Sequence, residues 1–460
     1  MKDYTGLRIL IVGAARQGLA AARFLAGCGA QVTINDRRPA QQMQAARAAL
    51  AGLEIRWVLG DHPLSLLDET DQVCISGGVP LTLPIIVETL RRGLPLTNDS
   101  QIFMEAVPCR VIGLTGSAGK TTTTTLVGRM AQAAILAPAR VWVGGNIGLP
   151  LIDHLAEIAP DDLVVLELSS FQLEQMTRSP QVAAVLNITP NHLDRHGTMQ
   201  AYSQAKARIL AFQSSSDVAV LGREDAGAWN LAEQVRGRLL SFGLQRPPTA
   251  SEGTYVEQGQ IWLQTTQGSQ ALLPVNQVLL RGEHNLRNVL AACAVSAAAG
   301  FPAAAMAGGV IDFGGVAHRL EFVRSLRGAS WYNGSIATAP ERTMADIQSF
   351  TEPLVLLLGG RDKDLPWGEL AALVHQRVDQ VVVFGEAAPK ILAAIGPLQA
   401  GKRLTWIVQV TGLQAAVQAA AQVASPGDVV LLSPGGTSYD EFIDFEERGE
   451  RYREWVKQLL

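Results

Sequence analysis

A lysine preceded by glycines and followed by threonines, at residues 116–122, is the stretch of this sequence best suited to chemistry. It reads GSAGKTT and follows the apolar run 111–114. A strand that ends in glycines at the start of a helix leaves backbone N–H groups unpaired, and the helix dipole adds partial positive charge there. Lys120 supplies a full charge for β/γ-phosphates, and Thr121 or Thr122 can hold Mg²⁺. The stretch therefore predicts a nucleoside triphosphate site.

The match to the standard phosphate loop, G-x-x-x-x-G-K-[ST], has one departure, because Leu114 stands where its first glycine would be. A solvent-exposed turn before a helix is the alternative, but it gives no reason for the strand, glycines, lysine and threonines to occur together. The candidate nucleotide contacts in this stretch are Gly116, Ser117, Ala118, Gly119, Lys120, Thr121 and Thr122.

Three further polar residues follow strand-like runs in the same part of the chain. Glu167 lies in DLVVLELSSF, His192 follows VAAVLNIT, and Asn146 lies in the turn of VWVGGNIGLP. A carboxylate inside an apolar strand is costly unless it is paired or bound to a metal, and beside a phosphate loop Mg²⁺ is the simplest partner. His192 is either an ordinary hydrogen-bonded loop residue or part of the same site, and both interpretations stay open.

Two predicted helices carry other candidates. Lys206 lies on a helix predicted over residues 199–212 and, taken by itself, is interpreted as a surface lysine. Asn285 and Asn288 are three residues apart and share one helical face. Their amides either reach a base or a phosphate or cap the start of the helix.

The first hundred residues have the outline of half a Rossmann fold. The run 7–12 is followed by GAARQG, a helical pattern and a second strand ending at Asp36. Ala15 replaces the middle glycine of G-x-G-x-x-G, so a pyrophosphate approaches less closely and a dinucleotide is disfavoured. Asp36, Arg37 and Arg38 are candidates for binding a uracil or ribose and a phosphate. For Asp36 the alternative is a cap on the strand end.

The remaining chain repeats the alternation of strand and helix, and Ser76-Gly77-Gly78 ends a further strand of the first domain. At 460 residues we expect about three domains. We predict an α/β protein with a Rossmann-like domain at 1–99, a central P-loop ATPase-type parallel sheet at 100–316 and a Rossmann-like domain at 317–460. Residues 245–275 predict a small irregular β excursion.

Composition restricts the classes of function. The sequence is 48% hydrophobic and 17% charged with a net charge of −4, so it is globular and lacks the basic character of a nucleic-acid-binding protein. Segment 289–311 is uncharged but broken at Gly300-Phe301-Pro302, which favours two short buried helices over a membrane span. We expect a cytoplasmic protein with no membrane insertion. The cysteines, interpreted as buried thiols in a reducing compartment, are Cys28, Cys74, Cys109 and Cys293.

About ten motifs, in order and over essentially the whole chain, resemble those of the Mur ligases. They are GLTGSAGKTT, GGNIGLP, VLELSSFQLE, TPNHLDRHG, YSQAKARIL, EHNLRN, AHRLE, NGSIATAPER, LLLGGRDKD and LLSPGGTSYDEFIDFEERG. The resemblance implies ATP-dependent amide bond formation in peptidoglycan precursor synthesis. VLELSSFQLE and the C-terminal motif resemble most the member that joins D-glutamate to UDP-N-acetylmuramoyl-L-alanine, and we expect a monomer.

The resemblance also implies roles for individual residues. For ATP they are the loop residues 116–122 with Asn285, Asn288 and Arg319. For two Mg²⁺ ions they are Thr121, Glu167, His192 and, if carbamylated, Lys206, and the catalytic group is Lys120, His192 and Lys206. For the UDP-linked substrate the resemblance implies Asn146. The residues predicted from the turns of the first domain are Arg16, Gln17, Asp36, Arg37, Ser76 and Gly78. For glutamate the resemblance implies Thr338, Lys363, Ser438 and Phe445, where a lysine and hydroxyls suit two carboxylates.

Two departures affect the amino-acid pocket. Gly334 stands where the family usually has an aspartate near the ATP ribose, and Ile336 where many members have a lysine near the glutamate. SPGGTS also replaces the commoner SPACAS. Losing an acid and a base together keeps the charge balanced but changes the pocket, so L-glutamate is the alternative amino acid.

Other readings of the sequence differ in what they leave unexplained. A folylpolyglutamate-synthase-like ligase would lack the first domain with Asp36. A nucleotide-binding switch without ligase activity gives Glu167, His192 and Lys206 no reason to converge. A dehydrogenase rests only on the damaged Rossmann turn.

Overall fold

The computed structural model describes residues 2–148 and 150–460, and the backbone alone of Asp194. The chain divides into two compact units. Unit 1 comprises Met1–Val278 and Glu283–Ile311, and unit 2 comprises Leu279–Gly282 and Asp312–Leu460. Unit 1 contains a five-stranded and a nine-stranded sheet, and unit 2 contains a six-stranded sheet. The predicted α/β class with three successive sheets is confirmed.

The first sheet is parallel, with strand order β3-β2-β1-β4-β5. Its strands are β1 (Arg8–Val12), β2 (Gln31–Asp36), β3 (Ile55–Leu59), β4 (Gln72–Ile75) and β5 (Leu96–Asn98), and its helices are α1 (Arg16–Gly27), α2 (Gln44–Ala49), α3 (Pro84–Arg91) and α4 (Asp99–Ala106). The strand order reverses between β1 and β4. In such sheets ligands bind in the crevice at the carboxyl ends of these two strands.

The second sheet has the order β14-β13-β12-β11-β10-β9-β6-β8-β7. Its strands are β6 (Arg110–Thr115), β7 (Val141–Gly145), β8 (Leu163–Glu167), β9 (Val182–Val185), β10 (Val218–Gly222), β11 (Arg238–Phe242), β12 (Glu252–Glu257), β13 (Gln260–Thr265) and β14 (Gly268–Pro274). Its helices are α5 (Lys120–Ala134), α6 (Ser170–Leu173), α7 (Leu193–His196), α8 (Met199–Ala211), α9 (Ala226–Trp229), α10 (Glu283–Ala299) and α11 (Ala303–Val310). Strands β6 and β8–β10 are almost entirely buried, as expected where both faces are covered.

The predicted irregular β excursion consists of three paired strands, with one register shift between β13 and β14. Strand β12 pairs parallel to β11, and β13 and β14 follow as antiparallel strands that extend the sheet. The uncharged segment forms α10 and α11, with Pro302 at the N-cap of α11. Within residues 2–148 and 150–460, no helix is long and apolar enough to cross a bilayer.

The third sheet, in unit 2, has the order β15-β16-β20-β17-β18-β19 and is parallel except for β15. Its strands are β15 (Glu321–Leu326), β16 (Ala329–Asn333), β17 (Leu354–Gly359), β18 (Gln380–Phe384), β19 (Trp406–Gln409) and β20 (Val429–Gly435). Its helices are α12 (Pro340–Gln348), α13 (Gly368–Arg377), α14 (Ala388–Ile395), α15 (Leu413–Val423) and α16 (Phe445–Gln458). Strands β17 and β20 are buried throughout and carry the core.

Two expectations about burial need correction. Lys206, interpreted from the sequence as a surface lysine, is buried, because its position on α8 faces the sheet. Cys28 is half-buried at the end of α1, whereas Cys74, Cys109 and Cys293 are buried thiols as expected.

Candidate active site

The glycine-rich loop connects the central strand β6 to the start of α5. Strand β6 ends at Thr115 and the helix begins at Lys120, so the loop sits at the N-terminal end of a 15-residue helix. Gly119 has φ +81°, and a Cβ there would collide with the side-chain amide of Asn288. The backbone conformation therefore favours glycine at 119, and a side chain there would also displace the amide of Asn288. The predicted strand–loop–helix context of a phosphate loop is confirmed.

Two lysines donate to one carbonyl oxygen beneath this loop. The Nζ atoms of Lys120 and Lys206 each lie 2.9 Å from the oxygen of Gly116. The side chain of Lys206 is 1% exposed. Burial first, and the charge of Lys120 second, lower the pKa of Lys206 to about 7, against the opposing effect of Glu167. The site therefore contains a buried amine that is partly neutral at physiological pH.

Glu167 ends β8 beside the loop. It pairs in register with Leu114 of β6 on one side and Gly145 of β7 on the other, and it is 2% exposed. Its carboxylate accepts hydrogen bonds from Thr121 Oγ1 at 2.8 Å and Asn146 Nδ2 at 3.0 Å. Sequence order alone places these residues far apart, and the parallel register brings them to one edge.

His192 lies at a turn on the same side of the sheet but is exposed. Its φ is +52°, it precedes α7, and its ring packs edge-on against Phe171 with centroids 5.2 Å apart. Among the described side chains, no group of three His, Cys, Asp or Glu is arranged to hold a metal ion. Metal binding by His192 therefore remains a prediction.

The structure adds a histidine with a buried side chain that was not predicted from the sequence. His196 is four residues after His192, and its Nε2 lies 2.9 Å from Ser170 Oγ while its Nδ1 lies 3.0 Å from Glu174 Oε1. Its ring stacks on Phe171 at 5.0 Å. These contacts hold the loop that carries His192 against α6. The signal in the sequence was the H-x-x-x-H spacing in HLDRHG.

Arg195, in the same short helix, contacts the first sheet. Its guanidinium donates to the backbone oxygens of Gly78 and Val79, each at 3.2 Å, and lies over the ring of Phe171. The turn after β4, predicted to bind substrate, is thereby tied to the turn before α8. Both turns belong to unit 1.

In the crevice of the first sheet, the carboxylate of Asp36 is already hydrogen-bonded within the protein. Asp36 accepts from the backbone N–H of Ala14 at 2.8 Å and from Arg38 through its backbone, Nε and Nη2. Burial opposes ionisation, but these hydrogen bonds hold the pKa of Asp36 below its usual range. The strand-end cap expected as the alternative is present, and substrate binding by Asp36 remains a prediction.

The other predicted substrate residues of the first sheet lie around the same two turns. Arg16 and Arg37 are exposed, Gln17 is half-buried beside Gly77, Ser76 is buried, and Gly78 is exposed. A Cβ on Gly13, after β1, would lie 3.0 Å from the Cβ of Ser76, after β4. The two turns therefore face each other across the reversal in strand order.

A cavity of about 290 Å³ adjoins the phosphate loop on its other side. Asn288 lines it and donates to Asn285 Oδ1 at 3.1 Å, so the two asparagines act as a pair. The cavity is lined by Ala118, Gly119, Leu186, Asn187, Gly222, Glu224, Asp225, Phe242, Gly243, His284, Arg287 and Asn288. Its size and mixed lining suit a small planar or sugar-like group next to phosphates.

In unit 2 the predicted glutamate residues surround the carboxyl ends of the strands. Thr338 and Phe445 are half-buried, Ser438 is buried, and Lys363 is exposed. The ring of Phe445 packs edge-on against His318, which precedes the exposed Arg319. Their binding role remains a prediction.

A fully buried arginine supports two loops of this region. Arg448 Nε donates to Ser335 Oγ at 3.0 Å, Nη2 to Ser335 O at 2.8 Å, and Nη1 to Gly436 O at 3.1 Å. Burial lowers the pKa of Arg448 to about 10, and Asp440 and Glu441 oppose this shift. This role was not predictable from the sequence, because FEERG resembles a charged helix start.

A phosphate loop after a central parallel strand, with a buried carboxylate beside it, defines the class of P-loop nucleotide-binding α/β proteins. Sequence models of three domains also match this chain. They are the Mur ligase MurD-like N-terminal domain at 7–98, the Mur ligase middle domain at 114–296 and the Mur ligase glutamate ligase domain at 318–436. Together with the relatives described next, they show that the chain belongs to the Mur ligase family and is an ATP-dependent ligase.

Curated relatives match along nearly the full chain. A protein of Koribacter versatilis is 38% identical over 99% of this chain and 98% of its own length. A protein of Symbiobacterium thermophilum is 38% identical over 98% of both chains, and one of Anaeromyxobacter dehalogenans is 39% identical over 98% of this chain and 97% of its own. All three are named UDP-N-acetylmuramoylalanine–D-glutamate ligase.

Solved structures share the fold. MurF from Acinetobacter baumannii aligns with a TM-score of 0.56 at 20% identity, covering 98% of this chain and 92% of its own. UDP-N-acetylmuramate-alanine ligase MurC from Thermotoga maritima aligns with a TM-score of 0.54 at 20% identity, covering 98% and 99%. These likenesses confirm the succession of three α/β sheets.

Proposed function

We propose that this chain joins D-glutamate to UDP-N-acetylmuramoyl-L-alanine and cleaves ATP to ADP and phosphate in peptidoglycan precursor synthesis. The observation that carries the nucleotide chemistry is the meeting of Lys120, Thr121 and Glu167 at the carboxyl edge of the second sheet. The choice of D-glutamate is supported by the names of relatives that match nearly the whole chain.

The chemistry follows from the poor reactivity of a carboxylate toward an amine. The alanine carboxylate attacks the γ-phosphorus of ATP, which forms an acyl phosphate and releases ADP. The glutamate amine, once deprotonated, attacks the acyl carbon, and the tetrahedral intermediate expels phosphate. Lys120 supplies positive charge to the transferring phosphoryl group. In the structure its Nζ donates to the backbone oxygens of Gly116 and Ser117.

The donor set beside the loop fits Mg²⁺. Glu167 is a buried carboxylate whose direct partners are the neutral donors Thr121 and Asn146, and carboxylate and hydroxyl oxygens are the ligands Mg²⁺ prefers. Thr121 and Glu167 would hold one ion, with His192 as a further ligand. When bound, the ions would neutralise the charge of the phosphates. Mn²⁺ binding measured by electron paramagnetic resonance should weaken in Glu167→Gln.

Lys206 fits the second ion only after modification. A neutral amine adds CO₂ to give a carbamate and releases one proton, and the lowered pKa of Lys206 leaves part of this amine neutral. The product is an anion with two oxygens, which suits a second Mg²⁺. Mass spectrometry of protein kept in bicarbonate should show a carbamate on Lys206 that Lys206→Met lacks.

We assign the three substrates to the three predicted domains, 1–99, 100–316 and 317–460. The turns after β1 and β4, with Asn146, would bind the UDP-linked substrate. The phosphate loop and the cavity beside Asn288 would bind ATP, and the loops with Thr338, Lys363, Ser438 and Phe445 would bind glutamate. We expect the active protein to be a monomer.

The decisive experiment measures phosphate release from ATP with Mg²⁺ and UDP-N-acetylmuramoyl-L-alanine, in parallel with D-glutamate, L-glutamate or no amino acid. Release that needs the UDP-linked substrate and D-glutamate is the expected result. Release with L-glutamate alone would keep the mechanism and change the amino acid. Release that is indifferent to both substrates would contradict the ligase and leave a nucleotide-binding switch.

A further inference from the structure

The carboxyl end of β16 in unit 2 lacks a side chain because residue 334 is glycine. The N–H of Gly334 donates to Leu432 O at 2.7 Å, which fixes this end against β20. A Cβ on Gly334 would lie 2.7 Å from that same oxygen and 2.9 Å from Asp346 Oδ2. Gly334 does not have positive φ, so what a side chain would violate here is space.

Asp346 reaches this space from α12. Ser433 Oγ, on β20, donates to Asp346 Oδ2 at 2.7 Å. One turn earlier on α12, Thr343 Oγ1 donates to Ser433 O at 3.1 Å. The carboxylate is therefore fixed at the junction of β16 and β20, where ligands of parallel sheets bind.

The charge of this carboxylate is only partly balanced. Burial raises the pKa of Asp346 to about 7, while the hydrogen bond from Ser433 and the charges of Arg319 and Arg342 act in the opposite direction. Within the described part of the chain, Asp346 has no ion pair with a lysine, arginine or histidine. A half-buried carboxylate in this condition is stabilised by a further hydrogen-bond donor.

We propose that Asp346 is a substrate-binding residue, whose carboxylate accepts a hydrogen bond from a hydroxyl or amino group of one of the ligase's small substrates. The inference rests on the proposed function and adds a residue to it. The donor is a hydroxyl of the nucleotide or the amine of the amino acid, and the two share the chemistry that a carboxylate recognises. Gly334 leaves the space that Asp346 fills.

This assignment gives the departure at Gly334 a structural counterpart. A chain with a side chain at 334 would push against Asp346 Oδ2, so the glycine and the carboxylate of α12 belong together. The two positions are twelve residues apart in the sequence, and only the packing of α12 against β20 brings them into contact.

The test is Asp346→Asn, with Glu341→Gln as the matched control. The asparagine keeps an oxygen that accepts from Ser433, so a purely structural role would survive the change. Loss of a charge-assisted hydrogen bond predicts a roughly 10- to 100-fold rise in one KM. Glu341 is exposed on the same helix, and its variant should keep both KM values within about twofold of wild type.

The two sources of the donor give different results. A rise in KM for ATP assigns the donor to the nucleotide, and a rise in KM for glutamate assigns it to the amine. In wild type the affected KM should also increase as pH falls below about 7, because the protonated carboxyl no longer accepts as an anion, and this dependence should be absent in Asp346→Asn. Unchanged KM values for both substrates would overturn the proposal.

Calorimetric titration of ATP and of glutamate tests the role of Asp346 independently of the proposed ligase activity. If wild type shows no substrate-dependent phosphate release, the proposed function fails, and the affinities of wild type and Asp346→Asn still decide the role of Asp346. Equal affinities for both ligands in the two proteins would contradict it. Gly334→Ala should weaken the same ligand as Asp346→Asn, because its Cβ crowds Asp346 Oδ2 and Leu432 O.

Discussion

The carboxyl edge of the second sheet and that of the third each contain a titratable group that burial drives toward neutrality from opposite directions. The pKa of Lys206 falls to about 7 in the first case, and that of Asp346 rises to about 7 in the second. Removal from water disfavours the charged form of both groups. At the second sheet the like charge of Lys120 adds to this effect, whereas at the third sheet Arg319 and Arg342 oppose it.

The two edges are also built differently. At the second sheet, one loop of consecutive residues meets Glu167, and the parallel register of β6 and β8 is enough to align them. At the third sheet, single residues from distant segments meet, such as Ser335 with Arg448. We therefore expect variants of the second edge to lose chemistry while keeping the fold, and variants of the third edge to affect folding as well.

The largest effect is expected for Lys120→Ala. Removing the charge from the phosphate loop should lower substrate-dependent phosphate release by roughly 1,000-fold or more. Lys120 is half-buried and donates to two loop carbonyls, so circular dichroism and thermal unfolding should change less than activity. Lys402→Ala, at an exposed lysine, is the control. Turnover near the wild-type level would sink the assignment of the phosphate loop.

Arg448→Met tests the opposite expectation for the third edge. The variant loses three hydrogen bonds from a buried guanidinium, so the free energy of unfolding of unit 2 should fall by roughly 3 kcal/mol. Arg451→Met on the same helix removes an exposed pair with Glu454 and should cost less than about 0.5 kcal/mol. Urea unfolding measures both, and equal values for the two variants would contradict the supporting role of Arg448.

Thr121→Val sharpens the account of Glu167. The valine keeps the β-branched shape but removes the hydroxyl that donates to Glu167, so kcat or affinity for Mg²⁺·ATP should fall roughly 10- to 100-fold. Thr125→Val, one turn later, removes a hydroxyl that bonds back to Thr121 O. Steady-state kinetics should separate the pair. Equal effects of the two variants would mean that the Thr121 hydroxyl stabilises the helix and that its contact with Glu167 does not matter for activity.

The last prediction concerns how stability changes with pH. In buffer without CO₂, the free energy of unfolding of wild type should rise with pH from about 7 toward the ordinary lysine value of 10.5, because the unfolded chain then binds one more proton than the native one. The slope is at most about 1.4 kcal/mol per pH unit. Lys206→Met should lose this pH dependence, whereas the control variant Lys402→Met should keep it. Parallel curves for wild type and Lys206→Met would refute the burial of a neutral amine.

The sequence was sufficient where chemistry and local structure share one stretch. The phosphate loop, the strand ending at Glu167 and the helices broken at Pro302 were all predictable, because each depends on neighbouring residues. Strands β3 and β5 were not identified. Strand β3 carries Arg56 and is nowhere fully buried, and β5 has three residues, so neither shows a clear hydrophobic period.

The rest of the site depends on contacts between distant residues. Lys206 and Gly116 are 90 positions apart, and Ser433 and Asp346 are 87 apart. The helical pattern of α8 does not show which face meets the phosphate loop, so Lys206 could not be placed in the interior. In the same way, the proposed role of Asp346 depends on its contact with the space at Gly334, which the sequence does not show. A local sequence motif does not predict a contact when one of the two side chains comes from another element.

The hairpin strands after β11 have a consequence for the behaviour of the chain in concentrated solution. Without them β11, whose inner residues are buried, would be the open edge of a long parallel sheet and a template for another extended chain. Strand β12 pairs with that edge, and the outermost strand β14 begins with four exposed residues, is joined to β13 through an irregular register and ends in Pro274. The excursion thus protects the ligase from edge-to-edge aggregation, and shortening it should lower solubility before it lowers activity.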